Sequence, residues 1–393
     1  MSNTVLYFFK LPFLILILSL FCFSCTGSSS GVKLENQTAE THNDDSIYLP
    51  QPDIDTLVDD LSSIIAGYVP NVYKNKNIAG NDHMLYQKQV EKDWAIVLKN
   101  KIGPITSWRE KNIQAEVQDT GTLFYPFAGA DFLYANTFFP NCKNYILVGL
   151  EPIGKFLRCD TLPKGEMLAY LEKIRSSLYF SNNLGFFRTE SMMKDLNQPT
   201  LDGTLPLIAY YVKRTHHLIR KLTYFSLDTA GLMVKCTAQL SPVGVRIDFC
   251  DSTLLINQSV YYISFDLSDK NLKKHRELLA FVRRFDHCQT FLKAASYLMF
   301  NPGFQTIRNF LLDHANVILQ DDSGIPYRFF KTAKWDVRLF GSYTKTIVRF
   351  ENKFQPDLLE AYEKQEKPKP VPFRIGYNVL FNETNLLLSK RKD

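Results

Sequence analysis

The segment from Gly121 to Gly154, GTLFYPFAGADFLYANTFFPNCKNYILVGLEPIG, constrains the fold more than any other part of the chain. It opens with an apolar run at Thr122–Phe127 and turns at Ala128–Ala130 around Gly129. A short helical stretch, Asp131–Phe139, leads to a second apolar run, Tyr145–Leu150, that stops at Glu151. Two nearly all-apolar strands joined by a short helix make a β-α-β unit whose strands are covered on both faces. Such strands lie parallel, with a right-handed crossover as the default. The expectation is therefore an α/β fold: a Rossmann-like, mainly parallel sheet with helices on both faces.

The flanking sequence fits around that unit. Helical spacing marks Asp53–Ala66, with Asp53 as N-cap, His83–Lys99, and a helix opened by Pro104 that runs through Trp108. Beyond the unit, helices are predicted at Pro163–Tyr179, Thr189–Leu196 and Leu205–His216, then a strand near Leu218–Leu227. Between Gly231 and Leu267, three short β-rich runs (Leu232–Gln239, Gly244–Phe249, Val260–Leu267) alternate with turn signals. They predict a β-rich insertion, as an antiparallel patch or an edge extension of the sheet. Helices are expected at Lys270–Phe285, Thr290–Phe300, Phe304–His314 and Pro356–Lys364, a buried strand at Val317–Gln320, and a final strand near Arg374–Phe381. The order helix, apolar strand, acidic residues recurs near Asp321, a faint echo of the first unit.

The N-terminus sets the compartment. Lys10 precedes an apolar run, Leu11–Phe23, which has the length of a secretory core and falls short of the ~20 residues of a spanning helix. With Val5–Phe9 included, the stretch just reaches spanning length. Ser24-Cys25 and then Gly27-Ser28-Ser29-Ser30-Gly31 follow. A small residue before a Cys, with a Gly/Ser tether behind it, resembles a bacterial lipoprotein signal. That resemblance implies lipidation of Cys25, whose acyl chains contribute ~0.8 kcal/mol per buried methylene. The expected organisation is a signal peptide over 1–24, a lipid-anchored tether over 25–50, and one large α/β domain over 51–393. Within that domain, 51–230 and 231–393 are candidate subdivisions. The tether also matches the G-x-S-x-G hydrolase pattern, but without the strand and helix that would give the match meaning.

Charge narrows the partners. The chain carries 46 Lys+Arg against 40 Asp+Glu, and this mild excess is spread out rather than gathered into a nucleic-acid footprint. Beyond the export segment five cysteines remain: Cys142, Cys159, Cys236, Cys250 and Cys288. An odd number leaves no complete disulfide framework, so buried thiols are the main reading and a Cys236–Cys250 bridge the minor one.

Phe124–Ala135 (FYPFAGADFLYA), Phe138-Phe139-Pro140 and Leu147–Pro152 (LVGLEP) resemble the hallmark segments of an uncharacterised family of exported bacterial proteins. Its pattern is FYPFSGPDFLYA followed by VGLEP, so Ala128 and Ala130 stand where Ser and Pro are usual. The likeness continues through Gly185–Leu196 and Gln320–Tyr327. It implies export and a shared fold. It implies no reaction.

In open α/β sheets ligands sit outside the carboxyl ends of the strands. Asp131, Glu151, Asp321 and Asp322 are therefore the candidate catalytic acids, and Gly129 and Tyr125 the candidate ligand-binding residues. Each acid has a plainer reading: Asp131 as a helix N-cap, Glu151-Pro152 as a strand end, Asp321-Asp322-Ser323-Gly324 as a strand-to-turn junction. Residues 126–131 read PFAGAD and lack G-x-G-x-x-G, which disfavours a dinucleotide. His216-His217 face apart on a presumed helix, and His287-Cys288 are adjacent side chains that rarely converge. Lys213, Arg214, Arg220 and Lys221 read as a solvated helix end. No metal motif is present and no cofactor is named. The functional expectation is a cell-envelope lipoprotein, membrane-bound through its lipid, with a binding or structural role. Alternatives are a hydrolase or transferase using the strand-end carboxylates, and a degenerate nucleotide-fold module.

Overall fold

A computed structural model describes residues 54–71, 81–117, 121–158, 160–186, 196–198, 201–237, 241–253, 256–286, 288–367, 369–380 and 383–392. The export segment, Cys25 and the tether lie outside the described residues. So do Asp53, Cys159, His287 and nearly all of the helix expected at Thr189–Leu196.

Helices α1 (Thr56–Ile65) and α2 (Asn81–Val97), a π-helical turn (Leu98–Ile102), and helices α3 (Gly103–Asn112) and α4 (Gln114–Val117) precede β1 (Thr122–Tyr125). Helix α5 (Phe132–Phe138) joins β1 to β2 (Asn144–Gly149). Next come α6 (Lys164–Leu184), a small ribbon of β3 (Asn197–Gln198) and β4 (Leu201–Asp202), and α7 (Leu205–Arg214). An antiparallel run comes after them: β5 (His217–Leu227), β6 (Met233–Cys236), β7 (Gly244–Asp251) and β8 (Asn257–Ser264). The rest is α8 (Asp269–Lys274), α9 (Glu277–Arg283), β9 (Cys288–Leu292), α10 (Gln305–His314), β10 (Ala315–Gln320), β11 (Trp335–Gly341), α11 (Pro356–Glu363) and β12 (Asn385–Arg391).

One sheet holds ten strands in the order β11-β12-β10-β9-β1-β2-β8-β7-β5-β6. Its centre, β10-β9-β1-β2-β8, is parallel throughout. Both margins are antiparallel. The expected α/β fold is present; of the β-rich stretch, β6 and β7 lie with β5 in one antiparallel margin, while β8 also pairs parallel with β2. The first unit has the predicted geometry: Leu123 pairs with Tyr145 and Phe124 with Ile146 in parallel register.

The two-sided burial expected of these strands is visible residue by residue. Leu123, Tyr125, Tyr145 and Leu147 enter one core with α1, α2, α3, α5, α6 and α7. Phe124, Ile146 and Val148 enter the other, with α8, α9 and α10. Fully burying each such side chain is worth about 1.5–3 kcal/mol. Because both neighbours along a strand are buried, the sequence shows a continuous apolar run and no alternation.

Several expectations are corrected. Thr290–Phe300 is not a helix; Cys288–Leu292 is the central strand β9, paired with both β1 and β10. The last strand is Asn385–Arg391, and Gly376–Leu380 is a 3-10 turn. Lys270–Phe285 is two helices, parted at His275–Arg276. Asp55 caps α1 by accepting from the Val58 N–H at 3.2 Å. His217 opens β5 rather than lying on a helix. Lys213 and Arg214 are buried and paired with Asp59 and Glu91, each at 2.7 Å, so they are not a solvated helix end. Cys236 and Cys250 oppose Tyr224 and Leu218 on β5, and both are free thiols.

Candidate functional site

Connectivity singles out one place on the carboxyl edge of the parallel strands. After β1 the chain passes through α5, in the first core, to β2 on one side. After β9 it passes through α10, in the second core, to β10 on the other side. Strand order therefore reverses between β1 and β9. At such a switch point the two departing connections part, which is where open α/β sheets bind ligands.

A buried ion pair occupies that place. Asp131 lies beyond the end of β1 and Lys293 directly after β9, and Lys293 Nζ lies 2.5 Å from Asp131 Oδ2. The side chains are 2% and 1% exposed, Lys293 and Asp131 respectively. Tyr125, the last residue of β1, donates its hydroxyl to Asp131 Oδ2 at 2.7 Å. Lys293 also donates to the Gly185 carbonyl at 2.6 Å. Gly185 is the left-handed cap of α6, so the negative end of that helix faces the ammonium. The Tyr134 ring lies 4.4 Å beneath Nζ, measured to its centroid. Burial raises the Asp131 pKa against the opposing pull of Lys293. Burial, then the Asp131 charge, raises the Tyr125 and Tyr134 hydroxyls.

Asp131 stands at the N-cap of α5; it makes no capping hydrogen bond of full geometry, but the Tyr134 backbone N–H helps hold its carboxyl down. Its Oδ1 and the Tyr134 hydroxyl are buried without a hydrogen-bond partner. Both lie beside one ammonium, and other buried side-chain atoms among the described residues likewise make no hydrogen bond.

The other acids line the same edge but are spent. Asp321 accepts from Ser323 Oγ at 2.5 Å, from the Ser323 N–H at 3.0 Å and from the Ala294 N–H at 2.9 Å. Asp322 accepts from Tyr297 Oη at 2.5 Å and from Asn385 Nδ2 at 3.0 Å. Burial raises both carboxyls, and the Asp321 charge adds to the rise at Asp322. These contacts tie the β10 end to the turn after β9, where Ala294, Ser296 and Tyr297 all take left-handed backbone conformations. Non-glycine residues held there cost about 1–3 kcal/mol each and cluster at functional sites.

Glu151 is buried at the end of β2, where its backbone carbonyl accepts from Tyr262 Oη at 2.8 Å. Its carboxylate lies against the turn that contains Gly129, whose φ of +57° accounts for a glycine there. The structure thus brings Asp131 and Tyr125 together with Lys293, sets Asp321 and Asp322 in a neighbouring network, and leaves Glu151 beside Gly129.

Lys293, Tyr134, Tyr297 and Asn385 did not emerge from the sequence. Lys293 had one signal: a lone charge inside the apolar run Thr290–Phe300. Among the described residues, no His/Cys/Asp/Glu group is arranged to hold a metal ion. No helix among them is long and apolar enough to cross a membrane. No family model, curated protein or solved structure matches the chain.

Proposed function

We propose that this chain is a cell-envelope lipoprotein, anchored through Cys25, whose exported domain binds a small ligand at the carboxyl ends of its parallel strands. One observation carries the binding reading: a buried Asp131–Lys293 pair at the β1/β9 switch point, with Asp131 Oδ1 and Tyr134 Oη unsatisfied beside it. Each unsatisfied atom costs about 1–3 kcal/mol. A ligand supplying a donor to Oδ1 and a partner to Tyr134 would remove that cost.

The test is a thermal-shift screen of small polar compounds on the wild type and Asp131→Asn. At about a hundred times its Kd, a ligand stabilises the native state by roughly 2.7 kcal/mol. The reading expects that shift in the wild type and its loss in Asp131→Asn. If the variant is only less stable and keeps every shift, the network is structural. Anchoring is tested by fatty-acid labelling of the wild type and Cys25→Ala; equal labelling rejects it.

A hydrolase or transferase reading draws on the same geometry. Asp131, hydrogen-bonded to Tyr125 and raised by burial, has the makings of a general base beside a fixed cation. It requires Asp131→Asn to abolish a turnover while leaving ligand binding measurable.

A further inference from the structure

A cavity of about 300 Å³ opens where β2 and β8 end. Pro152, Ile153 and Lys155 after β2, Asp202 of β4, Pro242 before β7, and Ser264 line it. Gly149 and Ser264, the last residues of β2 and β8, are partners in parallel register, so the cavity lies on the carboxyl edge of the sheet. Its volume meets the lower bound for a small-molecule site, about 300 Å³. None of the lining residues belongs to the Asp131–Lys293 network.

Two crossing backbones make the wall. The Thr204 N–H donates to the Pro152 carbonyl at 2.9 Å, the Leu205 N–H to the Ile153 carbonyl at 3.0 Å, and the Lys155 N–H to the Asp202 carbonyl at 3.2 Å. Tyr224 Oη donates to the Gly154 carbonyl at 3.0 Å. The crossing depends on Gly154 and Gly203, because a Cβ on either would overlap the backbone of the other segment. Lys155 and Asp202 are thus fixed as backbone neighbours of opposite charge. Even so, their side chains form no ion pair, and neither makes a side-chain hydrogen bond among the described residues. The same holds for the Ser264 hydroxyl. Lys155 is exposed, and Asp202 and Ser264 are half-buried.

We propose that this cavity binds a free amino acid, its carboxylate on Lys155 and Ser264 and its ammonium on Asp202. The site is additional to the one at the β1/β9 switch point and does not depend on it. A cation, an anion and a hydroxyl with unspent capacity match the two charged ends of a zwitterion. Pro152, Ile153 and Pro242 give the ligand's side chain an apolar wall. Because hydrogen bonds and the close glycine contact already fix that wall, binding has little of the protein left to order, which favours affinity. The competing role is a pair of surface charges left to water, where an ion pair is worth little. That role predicts no preference for a zwitterion over a singly charged ligand.

The experiment titrates the processed full-length protein by calorimetry with L-alanine and L-leucine. The controls are the same molecules without one charged end: ethylamine and propionate, isoamylamine and isocaproate. The proposal expects one of the amino acids to bind about tenfold or more tightly than both of its singly charged relatives. Lys155→Gln and Asp202→Asn should each weaken that binding about tenfold or more, whereas Lys155→Arg, which keeps the charge, should stay within about threefold. Without probe, Lys155→Gln and Asp202→Asn should unfold at the wild-type midpoint, since neither side chain holds a hydrogen bond that the fold uses. Equal binding of an amino acid and its singly charged relatives, or unchanged affinity in either charge variant, would leave the two charges to water and overturn the assignment. No binding of either amino acid by the wild type also overturns it. The Asp131→Asn screen judges the β1/β9 site separately, so the two readings fail independently.

Discussion

Replacing Lys293 by Met tests the buried pair at its centre, because it strands a carboxylate that has almost no access to water. Asp131 would keep the Tyr125 hydroxyl and lose the ammonium at 2.5 Å, and the Gly185 carbonyl would lose its donor. Removing one partner of a buried pair costs about 3–5 kcal/mol, because the remaining charge is left uncompensated. The stranded carboxyl has an escape, which is to take up a proton. Burial already raises its pKa, and Lys293 is the largest influence holding it down. In the variant the folded pKa therefore moves higher still above the unfolded value. A carboxyl raised on folding contributes stability at low pH that is lost as pH rises through the folded pKa. The Lys293→Met penalty should accordingly grow with pH, by at most about 1.4 kcal/mol per unit. At the alkaline end of the range, with Asp131 ionised, the full penalty of roughly 4 kcal/mol is expected. At the acid end, once Asp131 is protonated, only the unsatisfied Gly185 carbonyl remains, at about 1–3 kcal/mol. Asp131→Asn combined with Lys293→Met removes the stranded charge and should recover about half of the loss at the alkaline end. Urea unfolding of the three proteins at several pH values reads these quantities directly. A single variant that loses under about 1 kcal/mol at the alkaline end, together with a double variant that is no better, would refute the ionised pair.

The neighbouring acids give two further outcomes. In Gly376→Ala a Cβ would run into Asp321 Oδ2 at a φ of +56°, so the loss should exceed about 2 kcal/mol by chemical denaturation, whereas Gly165→Ala, which meets nothing, should be neutral or stabilising. Burial and Asp321 push the Asp322 carboxyl up to about 7, so its ionisation makes wild-type stability fall as pH rises from the unfolded value through that range; Asp322→Asn should flatten this part of the stability–pH curve, and an unchanged slope would refute the assignment.

What the sequence discloses depends on how each strand is bounded. Thr122–Tyr125 and Asn144–Gly149 are legible because each apolar run ends in a turn or a charge, and a short helix fills the gap between them. The strand at Cys288–Leu292 is hidden by the residues on its C-terminal side. Residues 290–300 read TFLKAASYLMF, which offers apolar side chains at helical spacing and lacks glycine or proline to break them. The chain breaks there instead through left-handed backbone at Ala294, Ser296 and Tyr297, held by Asp321 and Ser323 from the turn after β10. That is a tertiary cause, beyond the reach of local propensity. The last strand is misplaced for a related reason. Residues 374–381 are apolar enough to be a strand, but Gly376 takes a φ of +56° over the Asp321 carboxylate and the segment turns.

The same logic separates the candidate acids from one another. Asp131, Glu151, Asp321 and Asp322 qualify from sequence because they lie just past apolar runs, a criterion that cannot tell a carboxylate committed to the backbone from one with capacity left. Asp321 accepts two backbone N–H groups and a serine hydroxyl, and its work is to hold the turn after β9. Asp131 feels the Tyr134 N–H but makes no capping hydrogen bond of full geometry, and it stands beside a lysine that only the β9 pairing brings within reach. The distinction lies in how the hydrogen bonds are distributed, and that is set by which strands are neighbours. A sheet whose order reverses between β1 and β9 puts the residues just past the ends of those strands side by side at the point where their connections part. Asp131 therefore acquires its partner from topology, and the acid beyond the Gly129 turn and the lone lysine of an apolar run become one site.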